Sequence, residues 1–286
     1  MKRLGILGAA ASLATLCLAV PALADPTGFV SLGVGPTSEE FDAGSTDVVD
    51  GWAIEALASG AYMFTSVLGA QGDVRFMQRT LSDSSDELTT SSFDGALHGF
   101  YREEGFLVGG FVQVGRDDYD FNGSDQGEAD RSYLGAEAQI FVDSLTLYGQ
   151  GGMQRYEAGS SPSLGLSGWF GSLEARYFLT PNFSIESRIG VSSLDFEIAS
   201  VTSTTVSAGI GAEYKLDNMP LSLFASYDFA STSFDLGPDA DIRDHRFLIG
   251  ARFALGEDTL LNRDRNGASL EAVKPLGTPF VPVSPP

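Results

Sequence analysis

The feature that most constrains this sequence is a pattern in which every second residue is apolar. In the stretch FSIESRIGVS, Ile185 and Ile189 lie on one face, and Glu186 and Arg188 lie on the other. A period of two residues is that of a β-strand with one apolar and one polar face. In a soluble sheet the apolar face turns to a core, and in a membrane barrel it turns to lipid. The direction of Ile185 therefore decides the class of fold.

The pattern recurs in twelve stretches of about ten residues, and the connections between them alternate in length. Short connections, such as 143–144 and 180–182, follow even-numbered stretches, whereas long polar ones, such as 36–50 and 116–131, follow odd-numbered stretches. An even number of short strands with turns at one end and loops at the other is typical of outer-membrane β-barrels. None of the twelve prolines lies inside a predicted strand, where it would remove a ladder hydrogen bond.

Aromatic positions decide which face meets lipid. On the face of Ile185, large rings occur near both ends of the strands, with small aliphatic residues between them. The ring near the short connections comprises Tyr62, Tyr101, Tyr177, Phe183, Tyr214 and Phe253, and the ring near the long ones comprises Trp52, Phe93, Trp169, Tyr227, Phe229 and Phe247. Two such rings are typical of membrane-interface girdles, whereas a soluble core would concentrate its rings in mid-strand. We therefore predict that Ile185 faces lipid, in an all-β, antiparallel, up-and-down transmembrane barrel of twelve strands.

The opposite face must then line the interior, and it is rich in charge. The predicted pore-lining residues are Glu55, Arg75, Asp94, Glu137, Glu174, Arg176, Glu186, Arg188, Glu213, Asp228 and Arg252. So many charges on one face are tolerated only where water or opposite charges compensate them.

The register between the eighth and ninth strands follows from these charges. Pairing Glu174 with Arg188 also pairs Arg176 with Glu186, whereas a shift by two residues opposes like charges. We expect this register, with two ion pairs side by side on the lumen wall and Leu179 opposite Phe183.

The N-terminal residues 1–24 read as a secretory signal peptide. Lys2 and Arg3 precede an apolar run and a small-residue cleavage site before Asp25. Cys17 is the only cysteine, so the mature chain is predicted to have none.

The remaining chain divides into a barrel, residues 25–255, and a C-terminal extension, residues 256–286. The extension contains five of the twelve prolines and has no alternating pattern. We expect a poorly ordered periplasmic tail whose deletion leaves the barrel folded.

At this point the chain resembles Gram-negative outer-membrane β-barrels of porin-like type over residues 27–255. The stretch FLIGARF, Phe247 to Phe253, is similar to the terminal assembly strand of such barrels, although 33 residues follow it. RDRNGASL, residues 263–270, resembles endings of alphaproteobacterial barrels. The resemblance implies location in the outer membrane with both termini in the periplasm. It also implies the barrel-assembly machinery, membrane lipid and lipopolysaccharide as partners.

Charge and architecture narrow the function. A formal net charge of −21 argues against nucleic-acid binding. We expect a passive pore for small hydrophilic solutes with a modest cation preference. The alternative is a non-conducting structural or adhesive barrel that acts through its acidic extracellular loops. An autotransporter pore would need a passenger domain, and the first strand begins soon after Asp25.

No catalytic constellation emerges, so we predict that the protein is not an enzyme. Lipid-hydrolysing barrels place serine and histidine on the lipid face, but His98 falls on the lumen face. His245 and Ser231 fall on the lipid face, without a third residue to orient the imidazole.

One loop motif carries a weak metal signal. Asp118, Asp120 and Asn122 alternate before Gly123, as in the start of a calcium loop, but the twelfth position is Ala129 where a glutamate is expected. A solvated acidic loop is the interpretation that we favour. We therefore predict no cofactor, with a structural Ca²⁺ at this motif as the alternative.

Overall fold

The computed structural model of the protein describes residues 26–42, 46–83, 86–159, 164–196, 201–235 and 241–274. The predicted signal peptide, with Cys17, lies outside the described residues, as does the C-terminal end of the chain from residue 275. None of the helices in the described ranges has the length and hydropathy of a membrane span.

Twelve antiparallel strands form a closed barrel in which each strand pairs with its neighbours in the chain and β1 pairs with β12. The strands are β1 Thr27–Asp42, β2 Thr46–Met63, β3 Leu68–Asp83, β4 Asp86–Glu103, β5 Phe106–Phe121, β6 Ser124–Val142, β7 Leu145–Ala158, β8 Leu164–Thr180, β9 Phe183–Phe196, β10 Thr202–Lys215, β11 Leu221–Phe234 and β12 Asp241–Leu255. In the described part of the chain, one short helix, α1, follows at Leu260–Asn266. Closure leaves no strand edge unpaired, which is the condition for a sheet to stand in lipid. The predicted fold class is confirmed.

The apolar face of the strands points outward. Ile185 is 44% exposed and Trp52 is 63% exposed, whereas the lumen-facing Glu174 is 5% exposed. Apolar side chains outside and charged side chains inside are the reverse of the arrangement in a soluble protein, and they suit a barrel surrounded by lipid. Lipid-facing side chains count as exposed when the barrel is taken by itself. Ile185 therefore points away from the lumen, as predicted.

The strands are longer than the alternation predicted. The segments that we expected to be long loops are mostly strand, so that Pro36 lies inside β1 and residues 116–121 belong to β5. These extensions carry polar residues on both faces and only scattered apolar ones, so no regular apolar period marks them, yet their backbones continue the ladder. Pairs such as Thr80 and Thr89, whose hydroxyl oxygens are 3.1 Å apart, stabilise them. We call the end of the barrel that these extensions form the hairpin end, and the opposite end the short-turn end.

The predicted register between β8 and β9 is confirmed in the body of the strands. Glu174 lies opposite Arg188, and Arg176 lies opposite Glu186. The expected pairing of Leu179 with Phe183 is wrong, because an irregularity between residues 178 and 180 brings Thr180 opposite Phe183. An extra residue next to a turn is a β-bulge, which an alternation rule cannot predict.

Candidate functional site

The interior of the barrel is occupied by the chain's own C-terminal segment. After β12, Gly256 adopts a positive φ of 93° and redirects the chain into the lumen. We call residues 257–274 the plug segment. They were expected to form a poorly ordered periplasmic tail, and the structure places them inside the barrel instead. The expectation rested on the absence of an alternating apolar pattern. A short segment surrounded by a barrel wall can bury its side chains without such a pattern.

Helix α1 lies at the short-turn end of the lumen. Thr259 caps its N-terminus, because the Asn262 amide donates to the Thr259 hydroxyl at 3.0 Å. The Leu261 amide donates to the Pro181 carbonyl in the β8–β9 turn at 3.0 Å. Arg263 donates to both oxygens of Glu213 on β10, at 2.9 and 2.7 Å. The helix is therefore attached to the wall by main-chain and ionic contacts.

Beyond α1, three glutamines on the lumen wall hold the main chain of the plug segment. Gln71 on β3 donates to the Leu270 carbonyl at 2.7 Å and accepts from the Leu270 amide at 3.1 Å. Gln113 on β5 makes the same pair of bonds with Val273, at 3.0 and 2.7 Å. A third glutamine, Gln139 on β6, donates to the Ser269 carbonyl at 2.9 Å.

An ionic cluster surrounds Glu271 at the middle of the lumen. Its carboxylate oxygens lie 3.2 Å from Arg176 Nη2, 3.3 Å from Arg188 Nη1 and 3.0 Å from Lys274 Nζ. Burial opposes ionisation of Glu271, but Lys274, Arg176 and Arg188 outweigh it and hold the pKa of this carboxyl below its usual value. The plug segment therefore presents an acid to the wall arginines near its C-terminal end.

Apolar side chains of the plug segment enter pockets formed by inward-facing rings. Leu270 packs with Phe100, Leu107 and Tyr148. Val273 packs in a second cluster nearer the hairpin end, which contains Phe111, Tyr133, Tyr156, Leu166, Phe170 and Leu194. Cavities of about 100 and 70 Å³ lie beside the segment, room for a few water molecules.

All of the predicted pore-lining residues have their side chains on the lumen side. Several contact the plug segment directly or through one intermediary: Arg176, Arg188, Glu213, Arg252 and, through Tyr148, Glu137. Others pair with wall residues: Arg75 with Asp94, and Asp228 with Arg188 and Arg246. Glu55 and Glu186 border the larger cavity. Their role in conduction stays a prediction.

The two predicted ion pairs on β8 and β9 are realised only in part. Arg188 Nη1 lies 3.7 Å from Glu174 Oε2, across the strands. Arg176 instead contacts Glu174 on its own strand and two acids of the plug segment, Asp264 at 3.0 Å and Glu271. The plug segment supplied partners that a two-strand register could not include.

Sequence reasoning missed the residues that fill the lumen. Phe100, Phe111, Tyr133, Tyr148 and Phe170 face inward and are buried. A signal for them was present, since these rings occupy positions of the opposite parity to the lipid-facing residues of their strands. A water-filled pore does not explain aromatic side chains that face inward. A lumen filled by a segment of the chain explains them, because the rings pack against that segment.

The structure also locates the weaker candidates. Asp118 and Asp120 lie on β5, and Asn122 has a positive φ of 52° in the two-residue Asn122-Gly123 turn of a hairpin. The Asn122 side-chain oxygen accepts from the Glu87 amide at 2.8 Å and its nitrogen donates to Asp86 at 2.9 Å. Calcium binding there stays a prediction.

The two histidines have different surroundings. His98 is buried inside the barrel between Asp73 and Glu137, at 2.9 and 2.8 Å. His245 faces outward, and its Nδ1 lies 2.7 Å from the Tyr227 hydroxyl. Ser231 pairs with Arg243 across the strands, one step along the same face from the Phe229–His245 pair.

Within the described ranges, one group of acids is close enough to share a cation, namely Glu174, Glu186 and Glu271, with oxygens within 4.8 Å of one another. The Arg176 and Arg188 guanidinium groups and the Lys274 ammonium already neutralise this group. Its chemistry is therefore that of an ion-pair network.

Comparisons with known proteins agree with the architecture. No protein-family model matches the sequence, and no curated protein matches it. One similar solved structure is the translocator domain of the autotransporter NalP from Neisseria meningitidis, with 14% identity, a TM-score of 0.53, and coverage of 86% of this chain and 94% of that chain. Another is an outer-membrane channel from Pseudomonas putida F1, with 12% identity, a TM-score of 0.57, and coverage of 82% and 96%. At such identities the likeness concerns the fold: this chain has the fold of the outer-membrane β-barrels.

Proposed function

We propose that the protein is an outer-membrane channel for small hydrophilic solutes that is closed at rest by its own plug segment. Its location would be the outer membrane of a Gram-negative bacterium, with the short-turn end in the periplasm, as is general for such barrels. The polar, charged lumen wall supports a path for hydrophilic solutes. The likeness in fold to an outer-membrane channel is compatible with this function.

The observation that carries the proposal is the chemistry of the contact between plug segment and wall. The main-chain atoms of Ser269, Leu270 and Val273 bond to glutamine amides, and Glu271 bonds to two arginines. Water can replace hydrogen bonds and ion pairs of this kind at modest net cost. The strands hydrogen-bond to one another and not through the plug segment, so its displacement leaves the ladder complete.

A second candidate function is a permanently closed barrel that acts through its acidic hairpin end. The filled lumen favours it, because the pockets around Leu270 and Val273 bury apolar side chains as a folded core does. The two candidates differ in one measurable property, which is conduction after the plug segment is loosened.

The test is single-channel recording of L270D in a planar bilayer. Leu270 is 3% exposed, so a carboxylate among Phe100, Leu107 and Tyr148 should expel this part of the plug segment. We expect rare openings in the unmodified protein and frequent discrete conductance steps in L270D. N266D is the matched control, since it adds the same charge at an exposed residue of α1 and should behave like the unmodified protein.

Folding of each variant is checked by its heat-modifiable migration on a gel. A folded L270D protein that stays electrically silent would reject the channel and favour the closed barrel.

A further inference from the structure

The three wall glutamines form a site for peptide main chain. Gln71, Gln113 and Gln139 are at most 1% exposed, and each gives both an amide donor and an amide acceptor to the plug segment. A primary amide presents the same donor and acceptor as a peptide group. The bidentate pairs at Leu270 and Val273 therefore reproduce the contacts that a neighbouring strand would make.

The wall holds two of these amides in the required orientation. The Gln71 nitrogen also donates to Asp73, at 3.0 Å, and the Gln113 nitrogen donates to Asp94, at 3.3 Å. Each nitrogen has two N–H groups, so one is directed to the wall carboxylate and the other to the plug segment. Orientation by a second set of residues is what a preformed binding site needs.

Side-chain contacts add selectivity to this main-chain recognition. One apolar pocket receives Leu270, a second receives Val273, and Arg176 and Arg188 receive the acid at Glu271. Residues 269–274 have no helix or strand of their own. The site is therefore complementary to an unstructured peptide with apolar residues three positions apart and an acid directly after the first.

We propose that the barrel lumen is a peptide-binding site, and that the plug segment is its resident ligand. When the plug segment is loosened, the site takes a separate unstructured peptide with this pattern of apolar and acidic residues. The proposal goes beyond the channel function, because binding requires no conduction. Buried amides that lose the plug segment need new partners, which a second peptide supplies with the same geometry.

The experiment uses full-length L270D and a fluorescent peptide with the sequence of residues 267–274, GASLEAVK. Fluorescence anisotropy in detergent micelles measures its affinity. We expect saturable binding to L270D, and binding at least about tenfold weaker to the unmodified protein, whose site is occupied. Binding at equal strength to both proteins, or no saturable binding to L270D, would overturn the proposal.

Two altered peptides separate main-chain from side-chain recognition. Methylation of the main-chain nitrogen at the position of Val273 removes the donor to Gln113 and keeps the side chain, so we expect a loss of about tenfold or more. A peptide of the same composition in scrambled order should also bind at least about tenfold more weakly. If either altered peptide bound as well as the original, main-chain and pocket recognition would be refuted.

A protein variant completes the test. Adding Q113L to L270D should weaken the original peptide about tenfold and the methylated peptide by clearly less, because methylation has already removed one of the two bonds between Val273 and Gln113. If Q113L weakened the original and the methylated peptide by the same factor, the assigned contact between Gln113 and the residue at the position of Val273 would be contradicted. If the variant does not fold, the methylated peptide still decides the question.

Conductance of the same L270D preparation distinguishes this inference from the proposed function. Peptide binding without conductance rejects the channel and retains the peptide site. Conductance without peptide binding rejects the peptide site and retains the channel.

Discussion

At the scale of single residues, the lumen shows how polar groups of a barrel wall are paired by a segment of the same chain. Gln71 and Gln113 each bond to a wall carboxylate as well as to the plug segment, and Glu271 has three cations around it. A buried amide that lost such partners would cost about 1–3 kcal/mol. The residues that fix the plug segment are thus the ones whose substitution should release it.

Glu271 provides the first prediction. E271Q removes the charge but keeps a polar side chain, so plug binding should weaken by about 1–3 kcal/mol. E271R places a cation among Arg176, Arg188 and Lys274 and should weaken it further, by about 3–5 kcal/mol. The measurement is the rate at which A268C reacts with a thiol reagent, since Ala268 is 3% exposed and the predicted mature chain has no cysteine.

N266C is the control for this assay, because Asn266 is exposed and should react rapidly in every variant. Equal A268C rates in E271Q, E271R and the parent would show that the ionic cluster does not hold the plug segment.

Glu257 gives a prediction about pH. Burial raises the pKa of its carboxyl above the usual 4.5, against the opposing effects of Thr27, Arg263 and Arg102. A raised pKa in the docked state means that docking favours the protonated acid, so plug binding should weaken as the pH rises through that pKa. The A268C reaction should therefore be slower at pH 5 than at pH 8, once corrected for thiolate content with N266C. E257Q should lose most of this difference, and an unchanged pH profile would contradict it.

At the scale of elements, the strands and the plug segment are separable. Every strand bonds to two others in a closed ring, and the plug segment reaches the wall mainly through side chains of the strands. Deletion of residues 257–286 should therefore leave a folded barrel with heat-modifiable migration. Some stability should be lost, because Phe100, Leu107 and Tyr148 would lose Leu270 as a neighbour. A deleted protein that migrates at one position, heated or unheated, would show that the plug segment is part of the folding unit.

At the scale of the whole molecule, charge is concentrated at the hairpin end. The six segments that were predicted as loops contain 21 acidic and four basic residues. A negative mouth should raise the local cation concentration, and salt should screen this effect over a Debye length of about 10 Å at 0.1 M. Open L270D channels should show a modest cation preference that declines at high ionic strength. Reversal potentials that favour anions at low salt would contradict this prediction.

The sequence by itself determined the barrel. Alternation such as that around Ile185 specifies which face meets lipid, because a strand has only two faces and lipid accepts one of them. Charges of opposite sign on β8 and β9 determined the register for a similar reason, since like charges opposed would cost energy. The lipid-facing side of a strand and its register with the next strand are local properties, so the sequences of two neighbouring strands are sufficient to predict them.

Only the tertiary structure decided what the lumen contains. The plug segment has no period, and its contacts join residues nearly 200 positions apart, such as Gln71 and Leu270. A bond of that kind depends on closure of the ring, which brings β3, β5, β6 and β8 around one volume. The length of the polar hairpins and the bulge at Leu179 were hidden for a related reason, because main-chain pairing leaves no mark on side-chain alternation. Side chains facing one another across a lumen are set by geometry in three dimensions, and a linear pattern records only the face on which each lies.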